Sequence, residues 1–159
     1  MISKNAVIGK NVKIGLYCII EDGVEIGDET VIKNYVELRA GTIIGKKCYI
    51  DSRVTSSGNC QIGNNVIIRY DSIIARGVRI GDNTYLCPKV MTNNLNTDMD
   101  SIGGAHIGSN VFIGTSSVIQ HGIKIGNSSI LGSLSFINKN IPEGEIWFGN
   151  PAKFYKKLS

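Results

Sequence analysis

An Ile-Gly dipeptide returns at Ile8, Ile26, Ile44, Ile62 and Ile80, each time after 18 residues, and again at Ile107 and Ile125 with the same step. Between Ile80 and Ile107 the step is nine residues longer than one period. Seven turns of one repeat are therefore written into the chain, with a single insertion. A finer period of six lies inside the longer one. Every sixth residue from Ile2 to Leu86 is Ile or Leu, Ser56 excepted, and the register resumes at Ile107 and runs through Ile113, Ile119, Ile125, Leu131 and Ile137. Four residues after each anchor stands a small or β-branched side chain, as at Ala6, Val12, Cys18, Val24, Thr30 and Val36. An α-helix repeats every 3.6 residues and a strand every two, so neither alone produces a period of six. A short strand plus a turn does, and three such units close one coil of 18.

Composition agrees with a prism of this kind. Nineteen glycines and only 19% charged residues suit a turn-rich β structure rather than a helical bundle. Isoleucine and valine spread along the whole length argue against disorder. No apolar run approaches the ~18 residues of a membrane span, and Ser3, Lys4 and Asn5 follow Ile2 where a signal peptide would place its apolar core. The net charge of +4 is mild; it fits an anionic small ligand, and neither a nucleic acid nor a membrane is expected as partner. One column, Asn5, Gly23, Gly41, Asn59, Gly77, Gly122 and Asn140, holds only Gly and Asn. These residues tolerate φ > 0 most cheaply, so one corner of the prism is expected to require it. Cys18, Cys48 and Cys60 fall at the small inward position on three different faces and Cys87 on an outward one. No two stack in neighbouring coils, so free thiols in a reducing cytoplasm are expected.

The hexad pattern of Ile/Leu/Val, Gly, two variable residues and a small one resembles the hexapeptide-repeat family, over about nine-tenths of the chain. The resemblance implies an all-β fold, a left-handed parallel β-helix of about seven coils. Residues 1–142 would form it, with a loop insertion within 92–106 and a C-terminal tail over 143–159. It also implies a homotrimer with active sites between chains. The hand comes from the family, since parallel crossovers ordinarily run right-handed.

The departures from the repeat carry the functional expectations. Residues 92–106 are polar and leave the prism at one corner, and a loop of that length on a regular scaffold is usually functional. The segment before it, Leu86-Cys87-Pro88-Lys89-Val90-Met91-Thr92-Asn93-Asn94, resembles the end of the corresponding segment in N-acetyltransferases of nucleotide-linked 3-amino sugars. Met91 replaces the aromatic of that pattern and Asn94 its acid. The resemblance makes Asn93 a catalytic candidate that holds the sugar near a thioester, with Asn94 beside it; Asn64 to Asp71 resembles the same subfamily and adds Tyr70. The turn column Tyr17, Tyr35, Arg53, Asp71 and Lys89 stacks on one edge, expected to lie beneath the loop with Asp71 and Lys89 nearest to it. It is either surface stabilisation of a corner or, at Asp71 and Lys89, a wall of the substrate cleft. Only two histidines exist. His106 closes the loop on an outward position and is the candidate general base, while His121 occupies a turn. Many O-acetyltransferases of the family place a histidine early in the loop, where this chain has Asn93, Asn94 and Leu95. A hydroxyl needs a strong base to attack; an amine needs only to lose one proton from a group titrating much nearer neutrality.

After the loop, Gly114, Thr115 and Ser133 keep the outer surface open for a pantetheine arm, whose thioester carbonyl backbone N–H groups could polarise. The end, Gly149-Asn150-Pro151-Ala152, resembles the close of acyl-CoA-dependent members, and Lys153 and Lys156 could meet cofactor phosphates. The expectation is an acetyl-CoA-dependent N-acyltransferase without a metal, cytoplasmic, acting on a nucleotide-linked amino sugar in surface-glycan (lipopolysaccharide) biosynthesis. With the repeat starting at Ile2, the prism and loop would hold the nucleotide. A sugar O-acetyltransferase using His106 as base is the alternative. A zinc lyase of the β-helical type would need three histidine ligands, and an ice-binding prism would need flat threonine arrays; neither is present.

Overall fold

In the computed structural model, which describes residues 1–158, the chain winds as a left-handed parallel β-helix of triangular section. Its strands are two residues long, and each pairs in parallel with the strand one period away, as Val7 does with Glu25 and Ile67 with Tyr85. Three sheets result. Face I runs from the Val7–Ile8 strand to Lys124–Ile125, face II from Lys13–Ile14 through Ile130–Leu131, and face III from Ile19–Ile20 to Phe136–Ile137. Faces I and III have seven strands each, which at the usual strand spacing makes a prism ~30 Å tall. The anchor isoleucines and leucines fill the axis, and Ile20, Ile50, Ile68, Ile74, Leu86 and Ile137 are completely buried.

The small inward position has a polar task beyond fitting the corner. Thr30 Oγ1 donates to the Gly45 carbonyl at 2.9 Å and accepts from the Cys48 N–H at 3.0 Å. Thr84 does the same with Gly108 and Val111, and Ser117 with Gly132 and Ser135. Cys18, Cys48 and Cys60 send their thiols to the carbonyls of Lys33, Gly63 and Ala75 in the same manner. A hydroxyl or thiol there satisfies turn groups that would otherwise be buried unpaired. All four cysteines are free, and burial pushes the Cys48, Cys60 and Cys87 thiols up from their ordinary range.

All three corners, and not one, use the left-handed region. Gly23, Gly41, Asn59, Gly77 and Gly122 supply it at the III/I corner, but Glu29, Lys47 and Asn65 supply it at the I/II corner, and Tyr17, Tyr35, Arg53, Asp71 and Lys89 at the II/III corner. Asn5 and Asn140, at the ends of the Gly/Asn column, do not adopt it. The conformation aims each corner N–H along the axis at the coil before, as in Tyr35 N–H to the Leu16 carbonyl and Lys89 N–H to the Tyr70 carbonyl. That bond offsets the ~1–2 kcal/mol cost of the left-handed turn in a residue with a Cβ, so composition marks only one corner.

Glycine is enforced differently after the anchor. A Cβ on Gly27 would stand 2.6 Å from the Gly45 backbone, whereas one on Gly23, at φ +67, would meet nothing within 4 Å. Gly27→Ala is therefore expected to cost about 1–3 kcal/mol by forcing two coils apart, and Gly23→Ala about 1 kcal/mol from the dihedral alone. Denaturant titration of the two variants checks the order.

Residues 143–158 do not trail off as a loose tail. The strand Glu145–Gly149 continues face II, with Ile146 beside Ile130 and Trp147 beside Leu131, and Ala152–Lys157 folds back antiparallel on it. Trp147 donates to Glu145 at 2.7 Å and meets Phe154 edge-on, and the Asn150–Pro151 bond at the turn is cis.

Candidate active site

The insertion leaves at the III/I corner, after the strand Met91–Thr92 on face III, and rejoins at His106–Ile107 on face I. It costs the solenoid no register: Arg79 pairs with His106 and Ile80 with Ile107 across it. The loop is folded on itself. Leu95 and Ser101 form an antiparallel bridge, the Asn94 carbonyl accepts from Ile102 and Gly103, and the Asn96 side-chain oxygen accepts from the N–H groups of Asp98 and Asp100. Gly122 N–H then fastens its base through the Gly103 carbonyl. The result is a small hairpin that exposes Leu95, Met99 and Ile102.

At the root of the hairpin the ladder changes partner. In the coils below, the residue after each face III anchor sends its N–H to the next anchor's carbonyl, as Ser57 does to Ile74. Ala75 instead donates to Thr92 Oγ1 at 2.8 Å, and that hydroxyl donates on to the Ile73 carbonyl at 3.2 Å. Accordingly Ile73 pairs with Met91, but Ile74 and Thr92 do not pair. Thr92 stands where the repeat calls for Ile or Leu, but Ser56 does so too and keeps both of its ladder partners, so a polar anchor by itself does not mark the break. Beside it lies a cavity of about 320 Å³ whose lining includes Ile73, Ala75, Met91, Asn93, Asn94 and Leu95, and in which no ionisable side chain takes part. The Asn93 backbone is pinned by its N–H to the Ile119 carbonyl at 2.9 Å.

The site residues expected from the sequence separate onto two corners. Asn93 and Asn94 stand at the III/I corner and His106 just beyond it, exposed on the outer side of face I. Tyr70, Asp71, Lys89, Gly114, Thr115 and Ser133 share the II/III corner, at the opposite edge of face III. The Tyr17-to-Lys89 column therefore does not lie beneath the loop of its own chain. It is also internally paired: Tyr17 and Tyr35 stack at 5.1 Å, and Arg53 grips Asp71 with two bonds of 2.6 and 3.1 Å. The hydrogen bond from Arg53 holds the Asp71 carboxyl below the usual carboxylate range. Higher on the same corner, a Cβ on Gly114 would collide with the Ser133 backbone, so the two form one closely packed step. The Gly149 N–H of the C-terminal hairpin donates to Ser135 at 3.1 Å, which brings that hairpin to the same region. Lys153 and Lys156 lie on its outer strand, exposed, with Lys156 over the Tyr155 ring.

Two features escaped the sequence reading. Arg69 bonds Asp51 at 2.9 Å and the Tyr85 hydroxyl at 3.0 Å, tying face II to the II/III corner; Asp51 and Arg69 each follow a face II anchor, one coil apart. His121, one coil above Asn93 at the loop corner, buries its Nδ1 without a hydrogen-bond partner.

Residues 1–96 match the family model described as GMPPB C-terminal domain, and residues 104–139 the model for bacterial transferase hexapeptide (six repeats). The chain belongs to the hexapeptide-repeat β-helix proteins that these models describe. Among curated relatives, an acyl-[acyl-carrier-protein]–UDP-N-acetylglucosamine O-acyltransferase of Thermodesulfovibrio yellowstonii is 37% identical over 94 residues, 52% of this chain and 36% of that protein. The bifunctional protein GlmU of Koribacter versatilis is 39% identical over 57 residues, 36% of this chain and 12% of that protein. The chain thus spans about a third or less of these relatives. A crystal structure of a UDP-N-acetylglucosamine acyltransferase superposes with a TM-score of 0.77 at 23% identity, covering 97% of this chain and 70% of the other. The polysialic acid O-acetyltransferase OatWY gives 0.51 at 18%, covering 95% and 89%. At these identities the structural likeness speaks for the fold.

Proposed function

We propose that the protein is an acyltransferase of the hexapeptide-repeat type that moves an acetyl group from acetyl-CoA to the amine of a nucleotide-linked amino sugar. The observation that carries this reading is the cavity at the loop root, lined by amide, hydroxyl and aliphatic groups with no ionisable side chain. Such a lining can position an acceptor and polarise a thioester, but it offers no strong base. That chemistry suits an amine, which once deprotonated attacks the thioester carbonyl without further activation. Asn93, on its pinned backbone, would steady the oxyanion as coenzyme A leaves with the thiol proton. The packed step of Gly114, Thr115 and Ser133 would receive the pantetheine arm, and Lys153 and Lys156 its phosphates. A nucleotide sugar as acceptor is supported by the named substrate of the Thermodesulfovibrio relative.

The two halves of the site meet when a second chain stands beside the first, the hairpin of one against the II/III corner of its neighbour. Apolar columns at Val31, Tyr49, Ile67, Tyr85 and Phe112 on face II, and at Ile73, Met91, Val118 and Phe136 on face III, suit such packing in a homotrimer. Lys89 and Asp71 then flank the acceptor from the neighbour, and Asp71, already gripped by Arg53 and held below the usual carboxylate range, is a weak base there.

The name of the Thermodesulfovibrio relative favours one competitor, transfer to a hydroxyl, with His106 as base. Thiol release from acetyl-CoA, followed against UDP-, dTDP- and GDP-linked amino sugars and their hydroxyl counterparts, separates the two. Release with amines alone is the expected result. Release with the hydroxyl sugars, lost on His106→Ala, would overturn it.

A further inference from the structure

Face I carries an arrangement that the acyl-transfer reading leaves unused. Arg79, His106 and Lys124 occupy the outward positions of three consecutive parallel strands, in direct register. All three are exposed, and among the described residues none is in an ion pair. The outward column below them continues with Gln61, Ile43 and then Glu25, so the only carboxylate of this column stands three strands from Arg79. Arg39, Lys46, Arg53 and Arg69 each hold a carboxylate, and other cations such as Lys89 stand beside a carboxylate or a neutral residue in their column, whereas Arg79, His106 and Lys124 follow one another without interruption.

From this uninterrupted stack we infer that Arg79, His106 and Lys124 form the subsite for the diphosphate of the nucleotide-linked acceptor. The inference rests on the nucleotide-sugar reading and gives its acceptor a location. Neighbouring strands lie ~4.8 Å apart, so the three donors span ~10 Å, the reach of a diphosphate with its bridging oxygens. Arg79 presents a guanidinium fork and Lys124 a point charge, and the imidazole supplies an N–H donor in either protonation state. A groove of about 430 Å³ runs alongside, lined by Ile43, Gln61, Gly63, Arg79, Gly81 and Ile107. Its flat aliphatic and glycine surface suits a ribose and base, with the Gln61 amide as a hydrogen-bonding group. The II/III corner is a poorer phosphate site, because Asp71 is anionic and has already claimed Arg53. On this placement His106 binds phosphate and takes no proton from the acceptor.

Titration calorimetry of the protein with UDP, dTDP and GDP, without any acyl donor, tests the inference. Arg79→Gln and Lys124→Gln should each weaken diphosphate binding about tenfold, the worth of one charge-assisted hydrogen bond. The pair together should nearly abolish it, while Lys10→Gln changes nothing. Binding should weaken as salt rises. His106→Ala should weaken diphosphate binding and raise KM for the acceptor with little change in kcat. Undiminished binding by the double variant overturns the inference. So does a His106→Ala variant that keeps its diphosphate affinity and loses kcat. A parent protein that releases thiol with amino sugars but binds no free diphosphate overturns the subsite alone; absence of both overturns the nucleotide-sugar reading with it.

Discussion

Ile68→Asp is expected to abolish the folded state. Ile68 is completely buried on the axis, paired in parallel with Ile50 below and Leu86 above. The change removes an aliphatic side chain and puts a carboxyl where no donor can reach it. The packing loss alone is worth about 2–5 kcal/mol, and an unpaired polar group adds several more, against a typical total stability of about 5–15 kcal/mol. A buried carboxyl would take up a proton rather than remain charged, so the defect should be milder at low pH and worse at neutral pH. Ile68→Val should cost only about 1 kcal/mol. Circular dichroism and size-exclusion chromatography read both variants. A folded, native-sized Ile68→Asp protein would contradict the axial core.

The second large effect is expected from Asn93→Ala. The backbone there is fixed by the Ile119 carbonyl, and the fold does not depend on the side chain, so thermal stability should move by less than about 1 kcal/mol. Turnover should fall about 10²–10³-fold, the usual consequence of removing one preorganised donor from an oxyanion. A drop confined to kcat identifies transition-state stabilisation; a rise confined to KM would identify Asn93 as a sugar-binding group instead. Unchanged kinetics would take it out of the site. Thr92→Val in the same assay asks whether the ladder break matters, since valine keeps the volume and loses the hydroxyl that Ala75 uses.

The fold was legible because its constraint is periodic. An axis that admits one aliphatic side chain every six residues, and a turn that admits no Cβ at Gly27, leave marks that add up over seven coils. The insertion was equally plain, as a break in phase. What the sequence hid was whatever the repeat does not demand. Tyr35 and Lys89 adopt the left-handed conformation without looking like turn residues, because a backbone bond compensates them. The paired state of Asp71 depends on a neighbour 18 residues earlier, and a column of mixed charges does not reveal which members hold each other. The candidate site was readable in its parts and not in its layout. Asn93 and Lys89 are four residues apart in the chain, yet a strand of face III carries them to different corners.

The loop's attachment has an evolutionary consequence. It departs and returns at a single corner, restores the pairing of Arg79 with His106, and is fastened by one bond between Gly122 and Gly103. Its length therefore has no bearing on how the coils above and below it stack. Insertions and deletions there escape the penalty that a shift of even one residue would incur within a strand. This hairpin can change length and sequence while the isoleucine axis beneath it stays as it is.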